Sequence, residues 1–150
     1  MKLNLGCCDK IIAGYSNVDL VAGPGVDVVA DLSKPWLWSD SSVDAIIAHD
    51  IIEHLPRHIH TMNELHRVLR PGGIVDILVP STAGHGAFQD PTHVSYWNEN
   101  SFAYYCDGFP EHNRFARSYG ITARFQAQTL RVVPAPDNIV YVHAVLVAVK

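Results

Sequence analysis

Lys2-Leu-Asn-Leu-Gly-Cys-Cys-Asp-Lys-Ile-Ile-Ala-Gly-Tyr-Ser-Asn-Val-Asp-Leu20 holds a strand, a glycine turn, a second strand and a carboxylate, in that order. The apolar run Leu3 to Leu5 reads as a buried strand. Gly6 follows at once, where a chain leaving a parallel strand must turn and where a ligand can approach bare backbone. Asn17-Val18 reads as a second strand, closing on Asp19. Open α/β sheets hold a nucleoside with this arrangement, backbone near its middle and a carboxylate on the ribose hydroxyls.

Working outward, Ala22-Gly-Pro-Gly25 is a loop by its glycines and proline. Val26 to Ala30 reads as a third strand, again ending on an acid, Asp31. Val43 to Ala48 reads as a fourth strand running into His49-Asp50. Ile51 to Leu55 is a short helical piece before Pro56. Arg57 to Leu69 is the strongest helix, with Ile59, Met62, Leu65, Val68 and Leu69 at helical spacing and Pro71-Gly72-Gly73 as its stop. Ile74 to Val79 has the continuous apolar character of a central parallel strand. Pro80 to Tyr119 is polar, aromatic and glycine-dotted, with one helix near Glu99 to Cys106. A stretch of that length without periodicity reads as a functional loop region. Thr122–Val133 and Asn138–Val149 are joined by Pro134-Ala-Pro-Asp137, so they form an antiparallel hairpin. Only Asp9 to Ser16 separates the first two strands, shorter than a usual parallel crossover, so the helix expected there must shrink to a turn or the strands must be short.

The 150 residues suit one domain, residues 1–150, and one core. A net charge of −4 with no basic run disfavours a nucleic-acid partner. Three cysteines, two of them adjacent, make a poor disulfide framework and point to a reducing, cytoplasmic setting. No apolar run approaches a membrane span, so no membrane partner is expected. Oligomeric state cannot be read.

Leu3-Asn-Leu-Gly-Cys7, Asn17-Val-Asp-Leu20, Ala30-Asp-Leu32, His49-Asp-Ile-Ile-Glu-His-Leu55 and Val68-Leu-Arg-Pro-Gly-Gly73 follow one another in an order that resembles the class I S-adenosylmethionine-dependent methyltransferases. The resemblance is nearest to a small group whose chains open LNLGCG and continue NVDL. It spans Leu3 to about Tyr105, plus the closing hairpin. It implies an α/β Rossmann-like three-layer sandwich, with a mostly parallel seven-stranded sheet in the order 3-2-1-4-5-7-6 closed by an antiparallel hairpin. It implies S-adenosylmethionine as cofactor, with Asn4, Gly6 and Cys7 at its methionine end and Asp19 on the ribose. Asp31 and Leu32 would flank the adenine, and His49 and Asp50 the sulfonium. Where the group has a second glycine this chain has Cys8, whose Cβ is expected to deny the turn a left-handed conformation.

A nicotinamide site wants G-x-G-x-x-G to bring pyrophosphate onto backbone, and only Gly6 of the three is present. A cationic sulfonium instead tolerates an acidic rim, which Asp9, Asp19, Asp31 and Asp50 supply. Methyl transfer is an in-line displacement that needs orientation first, and a base only for an acceptor of high pKa. His93 is the first candidate base, with His49 and Asp90 as further catalytic candidates and Asp50, His54, His85 and Tyr96 in the wider field. His85, Phe88, Tyr96 and Trp97 suit a small, partly apolar or ring-shaped acceptor; a sugar-linked acceptor is suggested by the resemblance alone. The bland reading of Asp90-Pro-Thr-His93 is a capped turn. Asp90-Pro91 is not the D-P-P-Y of amino-methylases, since it follows strand five and lacks the aromatic. No metal site is expected: Pro56 breaks the face that would align His54 with His58, and His58 and His60 point apart. The expected function is methyl transfer to a small molecule; the alternative is a non-catalytic module that binds S-adenosylmethionine or a related nucleoside.

Overall fold

The computed structural model describes residues 1–150. Seven strands form one sheet: β1 (Lys2–Leu5), β2 (Ser16–Asp19), β3 (Val28–Val29), β4 (Val43–His49), β5 (Leu69–Pro80), β6 (Phe125–Pro134) and β7 (Val140–Ala148). Their order is β3-β2-β1-β4-β5-β7-β6. The pairs β3–β2, β2–β1, β1–β4 and β4–β5 are parallel, while β7 runs antiparallel to β5 and β6. This is the α/β topology that the resemblance implies. Between β1 and β4 the winding direction reverses, and open α/β sheets bind ligands outside the carboxyl ends of such strands.

No helix lies between β1 and β2, β2 and β3, or β3 and β4; turns make those crossovers. Of the two alternatives for Asp9 to Ser16 the first holds: the helix is replaced by turns, while the flanking strands, four residues each, are longer than the runs read from the sequence. Buried side chains do the work of the missing helix. Asn4 Nδ2 donates to the Lys10 carbonyl at 2.8 Å and to Asn17 Oδ1 at 2.9 Å. Asn17 Oδ1 also accepts the Ile12 N–H at 2.9 Å, and Asn17 Nδ2 reaches Asp27 Oδ2 at 3.1 Å. Backbone groups that a helix would pair internally are therefore satisfied by two asparagines that are each 4% exposed.

The helices follow β4: α1 (His58–Val68), α2 (Gly86–Gln89), α3 (Glu99–Ala103) and α4 (Pro110–Asn113). Met62, Leu65 and Val68 bury one face of α1 completely, each worth about 1.5–3 kcal/mol relative to exposure. The helix stops at Val68 because Leu69 turns extended (φ −65°, ψ 137°) and pairs with Val43. Pro71-Gly72-Gly73 therefore forms a bulge inside β5 rather than the helix end, with Gly72 at φ 73°. Glu64 and Arg67 pin the aperiodic loop before β4. Glu64 Oε2 accepts the Trp36 N–H at 2.8 Å, and Arg67 Nη1 donates to the Trp38 carbonyl at 2.9 Å.

On the long strands one parity is buried, as at Ile46, Ala48, Val75, Ile77, Val142, Ala144 and Leu146. The other parity is half-exposed, as at Ile47, His49, Asp76, Leu78, His143 and Val145. The third strand is shorter than its sequence suggests. Only Val28–Val29 pair regularly, because Val26 N–H closes a turn on the Gly23 carbonyl and Asp27 folds its carboxylate back onto Asn17.

Candidate active site

The carboxyl ends of β1, β2 and β3 and the start of the connection after β4 enclose a cavity of about 390 Å³, within the range of small-ligand pockets. Gly6, Asp19, Asp31, Ile51 and His54 line it, with Leu20, Ala30, Leu32 and Leu55 as apolar walls. Gly6 sits at φ 63°, and a Cβ there would stand 2.7 Å from Ile51 Cδ1. The turn after β1 must therefore be glycine, on backbone and contact grounds together. Asp19 is anchored through both oxygens: Oδ2 accepts the Cys8 N–H at 2.8 Å and Oδ1 the Val21 N–H at 3.1 Å. The Ser33 hydroxyl and N–H hold the Asp31 carboxyl below the usual carboxylate range. Cys8 itself occupies the left-handed region at φ 45°. The expectation that a side chain would deny the turn this conformation is overturned; the Asp19 hydrogen bond helps to hold it there.

Of the residues expected at a cofactor, Gly6, Asp19, Asp31 and Leu32 line this one cavity. Asn4 spends its amide on the loop, and Cys7 is a core residue, 1% exposed, whose thiol burial pushes upward in pKa. Asp50, at φ 53°, meets Lys10 Nζ at 3.2 Å across the loops after β4 and β1. His49 Nε2 stands 3.1 Å from Asp76 Oδ1, which His143 Nε2 also approaches at 3.0 Å, on the half-exposed side of the sheet. Asp9 belongs to a neighbouring cleft with Cys8 and Val21 to Pro24, where Asp19 forms a shared wall.

The loop after β5 divides its expected residues. Phe88 and Tyr96 stack at 5.3 Å and 29° while 60% and 53% exposed. His85 is exposed at the start of α2 and lines a shallow cleft with Phe88. Trp97 is instead a core residue, stacked on Phe102 at 5.0 Å and donating Nε1–H to Ser95 Oγ at 2.9 Å. His93 is also drawn inside, its side chain 7% exposed, with Nδ1–H donating to the Ala87 carbonyl at 3.1 Å. Asp90 caps the turn as the bland reading has it, taking the Thr92 N–H at 2.8 Å and the Thr92 hydroxyl at 2.7 Å, which lowers its pKa.

Sequence reading passes over Glu53. It is 1% exposed, and neither carboxylate oxygen has a hydrogen-bond partner. Burial pushes its pKa up to about 7, with Asp50 and Asp90 adding to the rise. The available signal was an acid inside the apolar run Ile51 to Leu55, where a solvent-facing position was expected.

Residues 4–77 match the family model described as a methyltransferase domain. No curated protein matches the sequence. Among solved structures the chain is similar to the 1,6-didemethyltoxoflavin-N1-methyltransferase of Burkholderia thailandensis with S-adenosylhomocysteine bound, at TM-score 0.65 and 18% identity. That match covers 99% of this chain and 71% of the other. A SAM-dependent methyltransferase of Methanosarcina mazei matches at TM-score 0.62 and 15% identity, over 99% and 92%. The [4+2]-cyclase SpnF matches at TM-score 0.65 and 13%, over 99% and 74%.

Proposed function

We propose that this chain, which belongs to the class I S-adenosylmethionine-dependent methyltransferases, transfers a methyl group to a small-molecule acceptor. Its cofactor is S-adenosylmethionine, which supplies an electrophilic methyl group on a sulfonium. The single observation that carries the reading is the cavity in which Gly6, Asp19, Asp31 and Leu32 converge beneath Ile51. The residues fit an adenosyl group. Leu20, Ala30, Leu32 and Leu55 offer apolar walls to a flat base, Asp19 keeps a second lone pair on each oxygen for ribose hydroxyls, and Gly6 brings bare backbone to the cavity wall. Two acids on the cavity wall favour a cationic ligand over a pyrophosphate.

The chain's part in such a reaction is orientation. Asp19 and Asp31 position the nucleoside end, and the exposed Phe88–Tyr96 stack offers a face to a planar acceptor. No proton transfer is assigned to His93, because its interior position keeps it from a solvent-borne acceptor.

One observation favours a second reading, a binding module without turnover. The Lys10 ammonium pairs with Asp50 over the loops where a sulfonium would be expected, and like charges oppose each other there. The fold alone does not choose a reaction, as the similarity to a [4+2]-cyclase illustrates.

Calorimetric titration with S-adenosylmethionine, S-adenosylhomocysteine and NAD tests the cofactor. Binding of the first two in the micromolar range, and none of NAD, is expected. Label carried from the methyl group into the small-molecule fraction of a cell extract then supports transfer. Tight binding with no label transferred to any acceptor favours the module, and silence from both adenosyl ligands sinks both readings.

A further inference from the structure

The turn after β4 and the loop after β5 bring together a carboxylate and two imidazoles, of which only His54 also borders the cofactor cavity and none has a role in the proposed methyl transfer. The donor atoms of Glu53, His54 and His93 all lie within 4.8 Å of one another. His93 Nε2 stands 4.0 Å from Glu53 Oε1 and 3.9 Å from Asp90 Oδ2. The two rings meet edge to face at 4.9 Å.

The tautomers follow from the hydrogen bonds. A carbonyl only accepts, so His93 Nδ1 donates its proton to the Ala87 carbonyl, and Nε2 is the nitrogen open to a ligand. His54 Nδ1 likewise donates to the Thr92 carbonyl at 3.3 Å and the Thr92 hydroxyl oxygen at 3.1 Å, because that hydroxyl spends its own proton on Asp90. Each imidazole thus has one nitrogen fixed by a carbonyl and the other open to a ligand, the arrangement in which a neutral histidine binds a metal.

Glu53 is the independent observation. A carboxylate with 1% exposure and two unpartnered oxygens is costly in any protein interior, and no arginine or lysine is paired with it. Its own backbone carbonyl is occupied, accepting the Val94 and Ser95 N–H groups at 2.9 and 3.0 Å, so the side chain is held in place while its charge is left unmatched. A cation between these three groups removes that imbalance.

We infer that Glu53, His54 and His93 form a binding site for a divalent transition-metal ion. Two imidazoles and one carboxylate suit the manganese-to-zinc series and exclude a hard-oxygen calcium cage. Donors bound at about 2.1 Å to one ion stand roughly 3–3.5 Å apart, so side-chain rotation has to close separations of 4.0 Å for His93–Glu53 and at most 4.8 Å within the cluster. Asp90 Oδ2, on a half-exposed side chain, is placed to serve as a fourth donor. The ion clips the loop after β5 onto the turn after β4, one wall of the adenosyl cavity. The inference does not rest on methyl transfer.

Untagged protein, stripped with EDTA and freed of it, is titrated with Co²⁺ followed by its visible d–d band, and with Zn²⁺ by calorimetry. A single equivalent bound in the micromolar range or tighter is expected, with a rise in melting temperature. Glu53→Gln, His93→Ala and the half-exposed His54→Ala should each weaken binding at least about 10-fold, while His112→Ala, outside the cluster, leaves it unchanged. Circular dichroism identifies any variant that fails to fold, and His54→Ala then carries the test. Absence of binding up to millimolar metal overturns the inference, as does binding that the folded cluster variants leave intact.

Discussion

Oδ2 of Asp19 accepts the backbone N–H of Cys8 at 2.8 Å, so the carboxylate that closes β2 also ties down the turn that leaves β1. Its other oxygen holds the Val21 N–H. One group thus shapes two loops and faces the cavity between them. Asp19→Asn keeps the size and one acceptor oxygen, so the expected loss of stability is about 1 kcal/mol. It removes the charged acceptor available to a ribose, so S-adenosylhomocysteine affinity should fall at least about 10-fold. Urea denaturation and calorimetry separate the two effects. An Asn variant that binds like the parent would remove Asp19 from the ligand site.

Cys8 holds a left-handed backbone, φ 45°, that costs a residue with a Cβ about 1–2 kcal/mol. Glycine removes that strain but adds about 0.5–1 kcal/mol of unfolded-state entropy. Cys8→Gly is therefore expected to gain roughly 0.5–1 kcal/mol, a few degrees or less in melting temperature. Cys8→Ala keeps the Cβ and should match the parent, since the side chain is exposed. If the alanine variant is as stable as the glycine variant, the strain is not there.

The long elements were legible because their side chains repeat a pattern. The apolar run Val43 to Ala48 and the two runs flanking Pro134-Ala-Pro-Asp137 reach the structure as β4, β6 and β7, the last two starting a few residues later than read. Short buried elements carry no such signal. In Leu3-Asn4-Leu5 all three residues are buried, so parity could not tell that Asn4 turns toward the loop and Cys7 into the core. The cavity proposed for the cofactor is lined by Gly6, Asp19, Asp31 and Leu32, where strand ends and acids coincide in the sequence. Glu53 was not legible, since within Ile51 to Leu55 it reads as the polar side of a helical turn. Only the tertiary seating of Val94 and Ser95 on its backbone encloses it and brings His93 alongside.

Burial raises the Glu53 pKa from 4.5 to about 7, opposed first by its own backbone N–H and then by Lys10, and aided by Asp50 and Asp90, with the His54 and His93 rings beside it. In chelator-treated protein the folded state therefore binds this proton more tightly than the unfolded chain. Stability from the neutral carboxyl is complete below pH 4.5, declines as pH rises toward 7, and is lost above it. The loss is on the order of 3 kcal/mol. Glu53→Gln cannot ionise, so it should equal the parent near pH 4.5 and exceed it at pH 8. Denaturation series of both proteins in EDTA check this. Parallel stability curves across the range would mean that Glu53 is paired or hydrated in solution.

Gly6 and Gly14 are both left-handed, at φ 63° and 81°, yet they stand in different surroundings. A Cβ on Gly14 meets nothing within 4 Å, so Gly14→Ala reports the backbone strain alone, about 1 kcal/mol. A Cβ on Gly6 would lie 2.7–2.8 Å from Cδ1, Cβ and Cγ1 of Ile51. One of those atoms is the branch point of the side chain, which cannot swing away without moving the turn after β4. Gly6→Ala should therefore cost a further 1–3 kcal/mol or so for the overpacking. It should also displace Ile51 and Gly6 together, two residues packed against each other on the wall of the proposed cofactor cavity. Weakened S-adenosylhomocysteine binding in Gly6→Ala, with binding preserved in Gly14→Ala, is the expected calorimetric result. Equal stability losses in the two variants would show that Ile51 yields freely, and that the contact neither shapes the cavity nor requires glycine there.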